Sequence, residues 1–531
     1  MTDIENADIV IIGAGFSGLY ALHKLRDHDV ICFEAGAGVG GTWYWNRYPG
    51  ARVDIPSMEY SYSFDDDLQQ EWRWPEMFSA QPELERYVNH VADRFALRDR
   101  VRLSNGVERM RFDEVANRWH VHTVKGDHVI CKYVVAATGA LSAPNTPPWP
   151  GRERFKGQIL HTAAWPAEGI DLAGKRVGQI GTGSTGIQLA PILAEQAEHL
   201  TIFQRTPAFS MPSGNRPMDP EHEREWKENY PERRKKTLQT PGVSLLERSS
   251  VACSEYTDEE RKQLLEEAWT SQSAFQLLLT FSDIMTNKDA NDVVAEFVRG
   301  KIRSIVKDPA TAELLCPKTY PIGAKRPCID NGYFETFNRD NVTLVDAKSA
   351  PIVAFTENGL RTTEADHDLD VIVTATGFDA ITGAMTRIDI EGIGGRKLTD
   401  KWADGPTAWL GLVVAGFPNL LMIHGPLTPG AQAQMLMVGE WQVNLVADII
   451  ASLEREGYAR IDTTEEAEGR WAEEIDMLSR NTLHGLADSW YNAKNIEGKR
   501  GGFMIYVGGF PRFARLNEEA IENDFDGFVR S

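Results

Sequence analysis

Two glycine signatures, far apart in a chain of 531 residues, carry the clearest chemistry: Gly13-x-Gly15-x-x-Gly18 and Gly181-x-Gly183-x-x-Gly186. Glycines at this spacing let backbone N–H groups close on a pyrophosphate at a helix N-terminus. The residues that follow each signature differ. Glu34 stands 21 residues after Gly13, where a carboxylate accepts hydrogen bonds from ribose hydroxyls. The matching strand after Gly181 ends in Arg205 and Thr206, with no acid. A carboxylate repels a 2′-phosphate, whereas an arginine fork pairs with one. The first turn therefore suits an unphosphorylated dinucleotide such as FAD or NAD, and the second suits NADPH. On the second turn and its helix, Ser184, Thr185 and Gln188 are further candidate cofactor contacts.

Each signature sits where regular elements hold it. Residues 7–12 form an apolar run expected as a buried parallel strand, and Leu19, Leu22 and Leu25 mark the helix after it. Residues 175–180 and the helix through Leu193 repeat the arrangement. Leu84, Tyr87, Val88, Val91 and Phe95 share one helical face and read as core. Short alternating runs over residues 101–135 predict a small antiparallel layer, closed at Ala137-Thr138-Gly139. A second Ala-Thr-Gly stands at 375–377, and the proline-rich stretch 141–150 reads as a linker.

From about residue 219 to 321 glycine turns vanish and amphipathic patterns take over. Val294, Phe297, Val298, Ile302 and Ile305 share a face, and Asp308-Pro309 marks a helix start. The basic run 233–236 reads as a solvated helix face. The expected fold is α/β, with two Rossmann-like dinucleotide-binding domains and an inserted helical lobe that shapes substrate access. The divisions are an FAD domain at 1–140 and 385–531, an NADPH domain at 152–212 and 325–380, and the insertion at 213–324.

Three longer motifs join the pattern. Phe155-x-Gly157-x-x-x-His161-x-x-x-Trp165-Pro166 resembles the signature of Baeyer–Villiger monooxygenases. Gly41-x-Trp43-x4-Tyr48-Pro49-Gly50-x3-Asp54 resembles a second signature of that family. Lys325-Arg326-Pro-x-x-Asp330-x-Gly332-Tyr333-Phe334 resembles the segment that carries its catalytic arginine. The resemblance spans nearly the whole chain. Its closest branch acts on phenylacetone, cyclohexanone and steroid ketones.

The resemblance implies an FAD- and NADPH-dependent enzyme that inserts one oxygen atom of O2 beside a ketone carbonyl, by way of a flavin peroxide, giving an ester or lactone. It implies that Arg326 stabilises the anionic oxygen species and that Asp54 positions Arg326. The loop with Gly41, Thr42, Trp43 and Tyr48, together with Tyr60, would lie against the flavin. Lys325 would join Arg205 at the 2′-phosphate, and Trp490 would contact NADP. His161 would couple domain motion to catalysis without donating a proton in the chemistry. Leu427, Thr428, Gly430, Ala431 and Gln432 fall where the ketone pocket is expected, and several depart from the usual family loop. The rival readings are a flavin monooxygenase acting on nitrogen or sulfur and a non-catalytic flavin-binding redox sensor. The first usually lacks Trp165-Pro166 and the 41–54 loop.

Composition excludes other classes. With 77 acidic and 56 basic residues the net charge is −21, which argues against a nucleic-acid partner. No signal-peptide pattern and no long uninterrupted apolar run is read, so no membrane span and a cytoplasmic monomer or weak oligomer are expected. Cys32, Cys131, Cys253, Cys316 and Cys328 are scattered, with no Cys-x-x-Cys. A disulfide framework, a zinc site and a dithiol reductase are therefore unsupported, and no metal is expected.

Overall fold

The computed structural model describes residues 4–271, 274–430, 432–496 and 498–531. Strand β1 (Ile4–Ile12) is buried from Ile9 onward, and the wholly apolar β2 (Val30–Phe33) runs parallel to it. Helix α1 (Phe16–Lys24) joins them. Short helices α2 (Thr42–Trp45) and α3 (Asp66–Glu71) lead to α4 (Gln81–Arg94), which buries Leu84, Tyr87, Val88 and Val91. Strand β3 (Val101–Arg102) extends the sheet beside β2.

Strands β4 (Val107–Asp113), β5 (Arg118–Thr123) and β6 (His128–Ala136) then form an antiparallel meander. It is not a separate layer. The nine residues of β6 pair with β5 at one end and run parallel to β1 along their length, so the meander joins the same sheet.

A second sheet begins with β7 (Gln158–His161), β8 (Arg176–Ile180), α5 (Ser184–Gln196) and β9 (His199–Gln204). After β10 (Ser210–Pro212) the chain becomes helical: α6 (Pro220–Glu228), α7 (Tyr230–Leu238), α8 (Asp258–Thr270), α9 (Lys288–Ile305) and α10 (Pro309–Leu315). Asp308 caps α10 by accepting from the Thr311 N–H. Strand β11 (Cys328–Asp330) closes the insertion by pairing with β10 in parallel.

Helix α11 (Tyr333–Thr336) and β12 (Val342–Asp346) follow, then the antiparallel β13 (Ile352–Phe355), β14 (Gly359–Thr362) and β15 (Asp366–Asp368), then β16 (Val371–Thr374). The second sheet has the order β12-β9-β8-β16-β7 and is parallel throughout. The order is that of a doubly wound dinucleotide fold.

The chain then returns to the first sheet. Beyond α12 (Gly383–Thr386), β17 (Asp389–Glu391) pairs with β4. Beyond α13 (Leu398–Lys401), β18 (Leu420–Met422) pairs with β6. Helix α14 (Met435–Glu456) is long and apolar enough to cross a membrane by composition, but it packs against α1 as a mostly buried core helix.

The run 233–236 is not uniformly solvated. Arg234 is buried, and its guanidinium leaves the insertion to bind the turn at 58–61. It donates to Glu59 O at 2.7 Å, Met58 O at 3.2 Å, Ser61 Oγ at 2.6 Å and Gln69 Oε1 at 3.3 Å. Two buried acids accompany it. Burial pushes Glu59 up to about 6 and Glu440 up to about 7, against the pull of hydrogen bonds and Arg234.

A carboxyl whose folded pKa is raised binds a proton that the unfolded chain releases. The contribution from Glu440 is thus fully present below pH ~4.5 and lost as pH rises through about 7. The loss amounts to roughly 3 kcal/mol. Urea unfolding from pH 5 to 8 should show stability falling in wild type and a flatter profile in Glu440→Gln. Parallel profiles would remove Glu440 as the source.

Candidate active site

Both glycine turns open into one cavity of about 1620 Å3. Single-ligand pockets are typically about 300–1,000 Å3, so this one has room for two dinucleotides and a substrate. The two turns are built alike. Gly13 has φ +100° and a Cβ there would lie 2.6 Å from Ala137 O; Gly181 has φ +106° and its Cβ would lie 2.3 Å from Ala375 O. Each turn is thus pressed against the Ala-Thr-Gly segment of its own sheet. Gly18 and Gly186 do not line the cavity. A Cβ on either would strike the carbonyl of Gly13 or Gly181, so they seat the helix on the turn.

The other expected cofactor residues reach the cavity. Gly15, Gly41, Thr42, Trp43, Tyr48 and Tyr60 line the first side, and Gly183, Ser184, Thr185, Gln188 and Thr206 line the second. Glu34 is buried and accepts from the N–H groups of Ala14 and Gly36, each at 2.7 Å. It shapes the turn as well as facing the site. The aromatic loop bridges the two sheets: Tyr48 Oη donates to Gln188 Oε1 at 2.9 Å, and Gln188 Nε2 donates to Arg52 O at 3.1 Å. Trp43 Nε1 donates to Tyr60 Oη at 3.2 Å.

Arg326 and Asp54, 272 residues apart in sequence, meet in this cavity. Nε donates to Oδ2 at 2.7 Å and Nη2 to Oδ1 at 2.9 Å, a two-point ion pair. Burial opposes the guanidinium charge, but the Asp54 carboxylate more than offsets it, so Arg326 titrates above an ordinary arginine. Strand β11 begins two residues later and fixes the backbone. Asp330 of the same motif makes its hydrogen bonds elsewhere. It accepts from Ser210 Oγ at 2.5 Å and from the N–H groups of Gly332 and Tyr333, which seats the turn after β11.

Arg205 and Lys325 line the cavity by the second turn. Burial lowers the Lys325 pKa, and the like charge of Arg205 lowers it further. Two facing cations repel each other until an anion joins them, which fits a phosphate there. Trp490 also lines the cavity.

Phe155, Gly157, His161, Trp165 and Pro166 stand apart from the cavity. His161 ends β7, accepts from the Ala163 N–H through Nδ1 at 3.1 Å, and places Nε2 3.4 Å from Asn145 O. Asn145 in turn bonds Thr376 and Gly377 of the second Ala-Thr-Gly segment. His161 therefore touches the place where the chain passes between sheets. Trp165 and Phe155 are buried, and a Cβ on Gly157 would meet Asp370 O at 2.3 Å. Pro166 follows Trp165 at the end of the motif.

The expected ketone loop divides. Thr428 and Gly430 line the cavity. Leu427 is buried outside it, its N–H bonded to Met504 O, and Gln432 Nε2 lies 3.4 Å from His484 Nε2. Ala431 lies outside the described residues.

Phe275 and Tyr491, which carry no local sequence signal, and Cys328 of the arginine motif lie near the ion pair. Phe275 of the insertion lies under the Arg326 guanidinium at 4.7 Å. Tyr491 is fully buried within the field of Arg326 and Asp54. Burial pushes the Cys328 thiol up to about 12, so it stays neutral in the cavity wall.

A family model described as pyridine nucleotide-disulphide oxidoreductase matches residues 7–237. A Baeyer–Villiger monooxygenase of Pseudooceanicola batsensis is 41% identical, with 98% of this chain and 96% of that protein covered. A phenazine N-monooxygenase of Lysobacter antibioticus is 39% identical, with coverage of 99% and 97%. The structure of an oxidised steroid monooxygenase bound to NADP superposes with a TM-score of 0.94 at 46% identity, covering 99% of each chain.

Proposed function

The chain belongs to the Baeyer–Villiger monooxygenase family, FAD- and NADPH-dependent enzymes, and from that premise we propose which of its residues carry the reaction. A ketone, O2, NADPH and a proton become an ester or lactone, NADP+ and water. The observation that carries the reading is the two-point Arg326–Asp54 pair lying in one cavity with both glycine turns.

Gly13, Gly15, Glu34, the 41–48 loop and Tyr60 would hold FAD, and Gly181, Gly183, Ser184, Thr185, Gln188, Arg205, Thr206 and Lys325 would hold NADPH. Bound FAD supplies acceptance of a hydride and activation of O2. Arg326 acts on the substrate side. Its guanidinium keeps its charge in a partly buried site, and Asp54 fixes its plane. A fixed cation stabilises the oxyanion that forms when the carbonyl carbon becomes tetrahedral. The Phe275 ring would shield one face of that cation from water. The test is a panel of cyclic, aryl and linear ketones under labelled O2. Esters carrying one labelled oxygen, with ketone-dependent NADPH use, are expected; no ketone-stimulated NADPH use across the panel would reject the reading.

The full-length likeness to a phenazine N-monooxygenase favours one second reading, transfer of oxygen to a heteroaromatic nitrogen. Competition between a ketone and a phenazine, with both products weighed, ranks the two.

Coenzyme choice gives a separate expectation. Arg205→Ala should raise the KM for NADPH roughly 10- to 100-fold, the worth of one charge-assisted contact, with the KM for NADH nearly unchanged. Equal effects on both coenzymes would place Arg205 elsewhere than at the 2′-phosphate.

A further inference from the structure

His424 lies in the cavity wall, and the roles assigned above do not use it. It follows β18 with a left-handed backbone, φ +55°. Non-glycine residues seldom adopt that conformation, and they concentrate where function demands it. Its imidazole is nine-tenths buried (9% exposed) and shares the wall with Ser17 and the first glycine turn.

Three neighbours frame His424. Gln442 accepts from the His424 backbone N–H through Oε1 at 2.9 Å. Gly439 stands inside α14, where glycine is a poor helix former. A Cβ there would lie 2.6 Å from Ser17 Oγ and 2.8 Å from His424 Nε2. The helix thus lacks a side chain where the imidazole and the Ser17 hydroxyl need room. Among the described residues, neither His424 Nδ1 nor Gln442 Nε2 has a hydrogen-bond partner, and both atoms are closed off from the cavity, which leaves Nε2, beside Gly439, as the ring nitrogen available to a ligand. Burial lowers the His424 pKa to about 4, against a backbone contact with Met435. The ring is therefore neutral near pH 7, with one donor nitrogen and one acceptor nitrogen.

An aliphatic residue would fill this space without an orphaned polar atom, so packing does not explain a histidine. Resting on the assignment of FAD to the first turn, we propose that His424 is a direct hydrogen-bonding contact for that dinucleotide, seated by Ser17, Gly439 and Gln442.

The test reads FAD binding without any ketone. Full-length protein stripped of flavin is titrated with FAD by fluorescence quenching, and the visible flavin spectrum and midpoint potential are recorded for the reloaded protein. His424→Gly keeps the left-handed backbone and deletes the ring. It should weaken FAD roughly three- to tenfold and shift the spectrum. His424→Asn tolerates the same backbone, offers a donor and an acceptor, and should recover most of the affinity.

Gly439→Ala displaces the ring without deleting it, and should weaken FAD while α14 stays helical. This variant keeps the test available if His424→Gly folds poorly. Unchanged FAD affinity and spectrum in His424→Gly, or in Gly439→Ala where the former does not fold, overturns the proposal. So does a loss of flavin-free stability without a loss of affinity. Wild type that binds FAD but makes no ester would sink the proposed reaction and leave this inference standing.

Discussion

Arg326→Ala should still oxidise NADPH but make almost no ester. The substitution leaves Arg205, Lys325 and both glycine turns in place, so hydride delivery should be preserved. It removes the one guanidinium that Asp54 aligns in the cavity. Loss of a single oxyanion-stabilising group costs about a hundred- to a thousandfold, and loss of a full charge should be no gentler. Reducing equivalents should then leave as hydrogen peroxide, measured beside ester by product mass. Arg326→Lys should recover only part of the activity, because an ammonium cannot match both carboxylate oxygens of Asp54 at once. Ester formation at the wild-type rate in Arg326→Ala would end the assignment.

The second large effect is on stability. Arg234→Ala should destabilise the protein by about 3 kcal/mol or more, by urea unfolding. Four acceptors at 58–61 and at Gln69 lose a donor inside the protein, of which Glu59 O and Met58 O keep a second one, from Gln434 Nε2 and Ser61 Oγ. Glu440 also loses its nearby positive charge, and Glu59 loses one of two, keeping Arg233. The 58–61 turn carries Tyr60, which bonds Trp43, so FAD affinity should fall as well. Arg234→Lys should restore less than half, since one ammonium cannot span acceptors that a planar fork reaches. A change within about 0.5 kcal/mol would mean that Arg234 behaves as a surface residue after all.

The difference between Arg234 and its neighbours shows where sequence reading stops. Residues 233–236 look equally hydrophilic, and only the helical register of α7 against a turn some 170 residues earlier selects the one that is buried. Phe275 and Tyr491 were silent for the same reason: their partner, Arg326, is distant in the chain. Arg326 and Asp54 were legible because each sits in a dense local motif, although nothing local shows that the two touch. Along the 427–432 loop, Thr428 faces the cavity and Leu427 does not. That follows from pairing with residues 504–506, which the loop's own sequence does not encode. The antiparallel meander was legible strand by strand, but its fusion with the parallel sheet depended on the full length of β6.

The late return of β18 to β6 bears on how the nascent chain matures. The N-terminal half-sheet leaves the ribosome early, yet the strand that pairs with the end of β6 is not synthesised until Leu420 to Met422. The whole second nucleotide fold and the helical insertion are translated in between. Until then β6 keeps an open backbone edge, a target for wrong partners and for chaperones. Truncation before residue 420 should therefore yield an aggregating fragment rather than a smaller flavoprotein.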